Sequence, residues 1–331
     1  RVRKDGSRFW ANVVLTALRD DAGVRAILKN IRRRAAFHAE DEPMLRAQKD
    51  RRVPGDPSSH PVWRSPEAAL KATQRLVALA RETGARIHIL HISSAEELRP
   101  LAEAKARGVD ITGETCPHYL LLSTDDYARF AGVIRVNPPV REKRNQEPLF
   151  AALGDGTIDL IATDHAPHSV EEKTRNDIWT VDCGFPGVET QMPMMLTEVA
   201  KGRYSISDYV RWSAANPAKI WGLYPRKGVI QPGTDADIAV VDLDRQWTID
   251  DAKLQSLSRI TPFHGQRVTG LPIHTLVRGR FVMKDRTLMP GTRGWGRSVH
   301  TIQQMPQAQP RNTDNTMSAI VKAGTGREHA A

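Results

Sequence analysis

The sequence predicts an α/β protein built on a parallel sheet, because short apolar runs alternate with longer helical patterns along most of the chain. Residues 159–162 (Asp-Leu-Ile-Ala) are typical of a strand buried on both faces, and Pro167 ends this run. Residues 36–37 and 86–91 are two further apolar runs that end beside polar residues. With 331 residues, the chain is long enough to bury one barrel-sized core.

Helix caps and turn residues set the order of the predicted elements. Ser65 and Pro66 provide an N-cap and a proline at the first helical position, and Gly84 ends that helix. Ser94 and Glu97 have the spacing of a capping box at the start of the next helix. The predicted strands cover residues 86–91, 109–112 and 159–162, and the predicted helices cover residues 65–84, 94–108, 146–153, 187–201 and 207–220.

After residue 222 the pattern changes to short strands separated by Gly and Pro turns, which predicts a small β-subdomain over residues 223–290. Residues 291–331 form a polar tail that contains proline. We expect this tail to lie over a surface or a neighbouring subunit, or to remain disordered. The strands predicted in the subdomain cover residues 227–233, 236–242 and 273–284.

A β-hairpin is predicted at the N terminus. A turn at residues 4–6 (Lys-Asp-Gly) precedes a strand that extends to Leu18, and residues 20–23 (Asp-Asp-Ala-Gly) form a second turn. Residues 24–31 are predicted as the return strand. This stretch, with Phe-Trp at residues 9–10, resembles the C-terminal hairpin of a PAS sensory domain.

The net charge of +10 is concentrated at the two ends of the chain. Residues 1–34 contain ten basic and three acidic residues, residues 291–331 contain five and two, and residues 35–290 contain 33 of each. A neutral body with basic ends indicates a solvated linker and tail rather than a nucleic-acid surface. No apolar stretch reaches the roughly 18 residues of a membrane span, and two cysteines are too few for a disulfide framework. We therefore expect a cytoplasmic protein with neither a membrane nor a nucleic-acid partner.

Three of the predicted strands are followed by residues that bind metals, namely His38, His91 and Asp164. Two imidazoles and a carboxylate form a ligand set that suits Zn²⁺ or a similar divalent ion. The C-terminal ends of parallel strands meet at one edge of a barrel, so we expect the three side chains to lie close together. A single histidine is as readily structural, and we interpret His88, on the opposite face of its strand, in that way.

These residues lie in motifs that resemble the cyclic amidohydrolases of the dihydroorotase, allantoinase and hydantoinase group, over residues 38–297. The resemblance implies a partial (β/α)₈ TIM-type barrel over residues 35–222, made of its second half, strands 5–8, with a small β-subdomain beside the N-terminal hairpin. It also implies a homo-oligomer, a dimer or a tetramer. The motifs are His38-Ala-Glu-Asp41, His91-Ile-Ser-Ser94, Glu114-Thr-Cys-Pro-His-Tyr-Leu120, Asn137-Pro-Pro-Val-Arg141, Thr163-Asp-His-Ala-Pro-His168, Gly184-Phe-Pro-Gly-Val-Glu-Thr190 and Gly233-Thr-Asp-Ala-Asp-Ile238.

The chemistry that this resemblance implies is hydrolysis of a cyclic amide C–N bond by metal-activated water, with one or two Zn²⁺ ions. It assigns His38, His91 and Asp164 as metal ligands. Asp164 would also carry the proton from the nucleophile to the leaving nitrogen, a role that suits a carboxylate.

The resemblance assigns substrate contacts as well. Asn137 matches a position that bonds the ring amide, and its side chain offers both a donor and an acceptor, although an Asn before proline is also ordinary turn chemistry. His168 matches a residue that contacts the substrate carboxylate in dihydroorotases. Cys183 and Gly184 match a substrate-binding loop through their backbone.

The motifs do not select one substrate within the group. The Asn137 motif and the Asp164–His168 motif favour dihydroorotase, the Glu114 motif favours allantoinase, and the tail around Trp295 is closer to hydantoinases. We therefore expect a small cyclic ureide or imide as substrate, with dihydroorotate as the first choice.

One part of the family pattern is missing from the beginning of the sequence. Members of the group open with a His-x-His strand and later supply a carboxylate that bridges two metals, but residues 1–37 contain no histidine. We therefore expect at most a partial metal site, and weak or no activity of this chain by itself. The competing hypothesis is a catalytically inactive scaffold or a PAS-linked sensor protein, which need not bind zinc.

The same residues suggest a junction between two kinds of domain. The chain begins at Arg1 rather than Met, so we expect a fragment or a fusion, with residues 1–34 as a PAS-like hairpin joined to the barrel near residues 32–35. The alternative is a divergent amidohydrolase whose opening hairpin only looks PAS-like.

Overall fold

Two four-stranded sheets organise residues 21–299, which are the residues described by the computed structural model. The first sheet is parallel, with its strands in chain order, and the second is antiparallel, also in chain order. The parallel strands are β1 Ala35–Phe37, β2 Ile87–Ile89, β3 Ile111–Thr115 and β4 Leu160–Ile161, and the antiparallel strands are β5 Ile238–Thr248, β6 Arg267–Val277, β7 Arg280–Lys284 and β8 Thr287–Leu288.

Helices connect the parallel strands and cover them, which confirms the predicted α/β class. Within residues 21–299, every helix is too short or too polar to cross a lipid bilayer. The α-helices are α1 Asp21–Asn30, α2 Glu42–Ala47, α3 Ser59–Trp63, α4 Pro66–Thr83, α5 Leu98–Ala106, α6 Pro117–Leu121, α7 Tyr127–Phe130, α8 Gln146–Asp155, α9 Val170–Lys173, α10 Gln191–Ala200, α11 Ile206–Val210 and α12 Asn216–Ile220. A π-helical turn, Arg211–Ala215, joins α11 to α12, and 3₁₀ turns occur at Lys49–Arg51, Ala95–Glu97, Thr124–Asp126, Ala131–Ile134, Lys143–Asn145, Ile178–Thr180 and Asp251–Lys253.

The register of the parallel sheet aligns the strand ends that carry the predicted site. Ala36 lies opposite His88, and His88 lies opposite Thr112. Glu114 on β3 lies opposite Leu160 on β4. Alternate residues of a strand face the same side of the sheet. Glu114 therefore lies on the same side as Thr112, one step closer to the C-terminal edge of the sheet.

The caps predicted from the sequence are present. Ser65 has extended backbone before Pro66 at the first turn of α4, and Gly84 ends that helix in the left-handed region with φ of 67°. Ser94 and Glu97 form the predicted capping box. Gly84 and the capping box satisfy backbone groups that a helix end leaves unpaired, whereas Ser65 makes no side-chain capping hydrogen bond and α4 begins at Pro66.

The predicted return strand of the N-terminal hairpin, residues 24–31, is wrong. Asp21–Asn30 is helix α1, which packs against α4. Val24 and Leu28 are buried, whereas Ala26 between them is exposed, so burial follows the period of a helix rather than the alternation of a strand. The first strand of the predicted hairpin lies outside the described residues.

Strands β5–β8 lie within residues 223–290, where short strands are predicted, and one of the predicted strands is wrong. Residues 236–242 and 273–284 contribute to β5, β6 and β7, but residues 227–233 form turns instead of a strand. Lys227 in this segment pairs with Asp235 at 2.8 Å and also with Asp237, so its side chain fastens a loop.

Helix α10 joins the antiparallel sheet to the rest of the unit that ends at Gly291. Thr197 accepts a hydrogen bond from the Thr269 backbone N–H at 2.9 Å. Gly270 allows β6 to approach Leu196, since an added Cβ would lie 2.7 Å from the Leu196 Cβ. Residues 292–299 belong to a second unit and contain neither a helix nor a strand.

Candidate functional site

A cavity of about 620 Å³ opens where the parallel strands end. Segments that follow all four strands contribute to its wall. Most of the residues predicted to form a site from the sequence line it, as expected for the C-terminal edge of such a sheet. These residues are His38, His91, Asn137, Asp164, Cys183 and Gly184, and the wall is completed by Glu40, Glu42, Leu45, Arg64, Leu90, Glu114, Val136 and Ala166.

His38 and His91 contact each other directly. The Nδ1 atom of His38 lies 3.0 Å from Nε2 of His91, and the two rings meet edge to face. His38 Nε2 donates to the Glu40 carboxylate at 2.9 Å, so Nδ1 of a neutral His38 accepts from His91. Nδ1 of His91 is buried without a hydrogen-bond partner, and burial, followed by the nearby His38, lowers the pKa of His91 well below its ordinary value.

Glu40 orients this pair of histidines through its contact with His38. Its side chain is 1% exposed and accepts two contacts from Arg64, at 3.0 Å from Nε and 2.5 Å from Nη2. Burial alone would raise the pKa of Glu40, but Arg64 and His38 outweigh burial and hold the pKa well below its usual range. A charged carboxylate therefore fixes the tautomer and the orientation of His38, as is common for histidines that bind metals.

Asp164 lies in the same cavity and has a shifted proton affinity. Burial, and then the charge of Glu114, raises the pKa of Asp164 to about 6, while His38 opposes this change. A carboxyl group with a pKa near neutrality can both accept and return a proton under physiological conditions.

The backbone is left-handed at two of these positions. His91 has φ of 38° and Asp164 has φ of 45°, and each follows the end of a parallel strand. Residues other than glycine rarely adopt this region, at a cost of about 1–3 kcal/mol each. Strain of this kind is concentrated at functional sites, where the position of a side chain matters more than local stability.

Asn137 is positioned by a buried histidine. His60 Nε2 donates to the Asn137 side-chain oxygen at 3.1 Å, and Tyr127 donates to His60 Nδ1 at 3.4 Å. Burial, and then the guanidinium groups of Arg135 and Arg64, lowers the pKa of His60 to about 3. A neutral His60 therefore fixes the orientation of the Asn137 amide in the cavity wall.

Glu114 is held by the histidine that we interpreted as structural. His88 is fully buried, and its Nε2 lies 3.0 Å from Glu114 Oε2 while its Nδ1 lies 2.7 Å from the Thr112 hydroxyl. His88 thus connects the sheet interior to the floor of the cavity.

His168 does not line the cavity. Its Nε2 donates to the Cys183 carbonyl at 3.1 Å, so it supports the wall through that loop. Its ligand atoms lie within 4.8 Å of those of Glu172 and Asp182, a potential cation cluster at the half-buried surface. Asp182 in this cluster is already paired with Arg175 at 3.3 Å.

The fit of the predicted metal ligands to one ion is partial. The nitrogens of His38 and His91 are 3.0 Å apart, close to the separation of two ligands at about 2.0–2.1 Å from one Zn²⁺. Among the described residues, however, His38, His91 and Asp164 do not form a group whose ligand atoms all lie within 4.8 Å. The two histidine nitrogens therefore have about the separation of two ligands, and Asp164 lies in the same cavity without completing a compact group.

Sequence reasoning assigned no role to Glu40, His60, Arg64 or Glu114. Glu40 stands two residues after His38 in the segment that follows β1, and this short spacing was the available signal. Arg64 and His60 gave no local signal, because their partners are 24 and 77 residues away.

Comparison with known proteins identifies the relatives of this arrangement. Residues 64–282 match the family described as the amidohydrolase family. An allantoinase from Streptomyces avermitilis is 40% identical over 248 residues, which cover 75% of this chain and 55% of the relative. An L-hydantoinase from Paenarthrobacter aurescens is 37% identical over 272 residues, 79% of this chain and 58% of the relative. A dihydroorotase from Halobacterium salinarum is 40% identical over 272 residues, which cover 82% of this chain and 62% of the relative.

Solved structures show the same relationship. The L-hydantoinase (dihydropyrimidinase) from Arthrobacter aurescens superimposes with a TM-score of 0.79 and 34% identity, covering 84% of this chain and 64% of that one. The D-hydantoinase (dihydropyrimidinase) from Thermus sp. superimposes with a TM-score of 0.79 and 30% identity. The superposition covers 84% of this chain and 63% of that one. The chain spans a little over half the length of the curated relatives it matches.

Proposed function

The chain belongs to the amidohydrolase family, and from this premise we propose that it hydrolyses the C–N bond of a small cyclic amide with the help of a divalent metal ion. The observation that carries the proposal is the cavity at the ends of the parallel strands. There the paired histidines His38 and His91 lie beside Asp164, a carboxyl group whose pKa is raised to about 6.

In the proposed site, His38, His91 and Asp164 would hold the divalent ion. Zn²⁺ or a similar ion, when bound, lowers the pKa of water and polarises the amide carbonyl. Glu40 and Arg64 keep His38 oriented towards the cavity.

The chain's own residues then move the proton and hold the ring. Asp164 accepts a proton from the attacking water and delivers it to the ring nitrogen as the C–N bond breaks. Asn137, fixed by His60, forms a hydrogen bond with the ring amide. Cys183 and Gly184 contribute a wall of the substrate pocket.

Our proposal for the architecture is that β1–β4 correspond to strands 5–8 of a (β/α)₈ barrel. The parallel order of the four strands and the likeness to hydantoinase structures support it. For the substrate we propose a cyclic ureide or imide, since allantoinase, hydantoinase and dihydroorotase all occur among the relatives.

The second candidate is an inactive member of the family that serves as a scaffold. The observation in its favour is that the three predicted ligands, all of them described, are not drawn together into one compact metal-binding group.

Metal content and turnover separate the two candidates. The purified chain would be incubated with Zn²⁺, dialysed, analysed for metal by mass spectrometry, and assayed with dihydroorotate, allantoin and hydantoin in parallel. We expect at least one Zn²⁺ per chain and turnover, even if weak, of one of the three compounds. A folded chain that retains no zinc and hydrolyses none of them would favour the scaffold.

A further inference from the structure

We infer that Glu114 is a substrate-binding residue whose second carboxylate oxygen accepts a hydrogen bond from a ring N–H of the cyclic amide. The inference rests on the proposed function and assigns a partner to the ring nitrogen. Three observations support it. Glu114 lines the cavity, His88 holds only one of its two carboxylate oxygens, and the other acidic residues of the cavity already have a partner or a proposed role.

The position of Glu114 follows from the alternation of β3. Ile111, Gly113 and Thr115 do not face the cavity, whereas Glu114 lines it. Thr112, on the same face, lies opposite His88 in register. Glu114 therefore stands one layer above the His88–Thr112 pair, on the floor of the cavity.

One oxygen of Glu114 is fixed, and the other has no partner within the described residues. His88 contacts Oε2 at 3.0 Å, and its second ring nitrogen is engaged by Thr112 at 2.7 Å. Because a carboxylate can only accept, His88 Nε2 carries the proton and donates to Glu114. The Glu114 side chain is only 12% exposed, and a carboxylate oxygen that is poorly hydrated gains from a donor supplied by a ligand.

The other acidic groups of the cavity already have partners or a role. Glu40 is bound by His38 and Arg64. Glu42 at the rim pairs with Arg46 at 2.9 Å. Asp164 has the proposed proton role, so Glu114 is the carboxylate that remains for ring recognition.

The chemical class that this site recognises is a ring with an N–H next to a carbonyl, as in every cyclic ureide. A carboxylate can only accept, so it pairs with the N–H, while the Asn137 amide can serve either a carbonyl or an N–H. Glu114 and Asn137 together would bind a ring amide through complementary contacts. Replacing the hydrogen on the ring nitrogen by a methyl group removes the hydrogen bond to Glu114. The hydrogen bond between Asn137 and the ring carbonyl remains.

The test measures binding of three rings to the purified full chain by calorimetry: hydantoin, 1-methylhydantoin and 3-methylhydantoin. In the wild-type chain we expect methylation at one of the two nitrogens to weaken binding at least about tenfold, as for a hydrogen bond to a charged group. In Glu114→Gln we expect hydantoin to bind at least about tenfold more weakly, with no remaining difference between hydantoin and that methyl derivative. Glu103→Gln, which replaces an exposed acid of α5 outside the cavity that pairs with Arg99, is the matched control and should bind all three rings as the wild type does.

The outcomes distinguish this inference from the function on which it rests. If Glu114→Gln binds hydantoin normally and still discriminates against the methyl derivative, Glu114 is not the acceptor, while the proposed function stands. If no ring binds the folded wild-type chain, the proposed function fails and the inference fails with it. Thermal unfolding checks each variant, and Glu114→Asp, which withdraws the carboxylate by one methylene, replaces Glu114→Gln if the latter does not fold. Glu114→Asp is expected to lose the difference in affinity between hydantoin and the methyl derivative in the same way.

Discussion

Nδ1 of His38 and Nε2 of His91 lie 3.0 Å apart, so one of these nitrogens must carry a proton as long as the two rings bond to each other. A shared metal ion needs both lone pairs and therefore excludes that hydrogen bond. The contact holds the two rings together in a position from which they can be recruited as ligands.

We expect His91→Ala to lose zinc. Removal of one of two closely placed imidazoles should weaken Zn²⁺ binding by at least about a hundredfold, since one ligand bond and the ring that orients His38 are both lost. Competition with a fluorescent chelator gives the affinity. His264→Ala, which replaces an exposed histidine in the segment before β6, should bind zinc as the wild type does, and equal affinity in both variants would remove His91 from the site.

We expect Asp164→Asn to abolish turnover of whichever ring the wild type hydrolyses. An amide cannot take up the proton of the attacking water, so kcat should fall by at least about 10²–10⁴-fold. The measurement is made at matched zinc content, because Asp164 is also a proposed ligand. Near-normal kcat with metal bound would show that another group moves the proton.

We expect His60 to make the fold sensitive to acid. Its pKa is lowered to about 3 in the folded chain, below its unfolded value of about 6.5, so the unfolded state takes up the proton first. The stability contributed by neutral His60 is complete above about pH 6.5 and is lost as the pH falls towards 3. His60→Gln should reduce the difference in unfolding free energy between pH 7 and pH 4.5 by up to about 2–3 kcal/mol.

Urea unfolding at the two pH values measures that difference. His264→Gln is the control, because His264 is exposed and its loss should leave the pH dependence nearly unchanged. An unaltered dependence in His60→Gln would mean that the proton is taken up elsewhere.

We expect Arg64→Met to destabilise the fold by about 3–5 kcal/mol, because it leaves the buried carboxylate of Glu40 without its cation. The double variant Glu40→Gln/Arg64→Met should recover part of this loss, since the buried charge is gone. Arg46→Met, which breaks the exposed pair with Glu42, should cost less than about 1 kcal/mol. Chemical denaturation of these variants, of the single variant Glu40→Gln and of the wild type measures these energies, and an additive double variant would contradict the coupling.

The strand ends could be predicted from the sequence, and the partners of the site residues could not. Apolar runs that end in His38, His91 and Asp164 were sufficient, because parallel strands bring their C-terminal ends to one edge. The contacts of Glu40 with Arg64 and of Asn137 with His60 depend on how the long segment after β1 folds back over the sheet, and no local pattern encodes that path.

The error at residues 24–31 has a different physical cause. The turn signal at residues 20–23 favoured a hairpin, but residues 21–30 form a helix that buries Val24 and Leu28 against the rest of the fold. The segment at residues 227–233 was misassigned because Gly and Pro turns flank strands and loops alike.

The left-handed backbone at His91 and Asp164 has a consequence for laboratory evolution. Glycine, and to a lesser extent asparagine, adopts this conformation with little strain, so a library selected only for thermal resistance should enrich these residues at both positions. Such a selection would remove the imidazole and the carboxylate while the protein became harder to unfold. Improvement of the proposed hydrolysis therefore requires a selection that scores ring opening in every round.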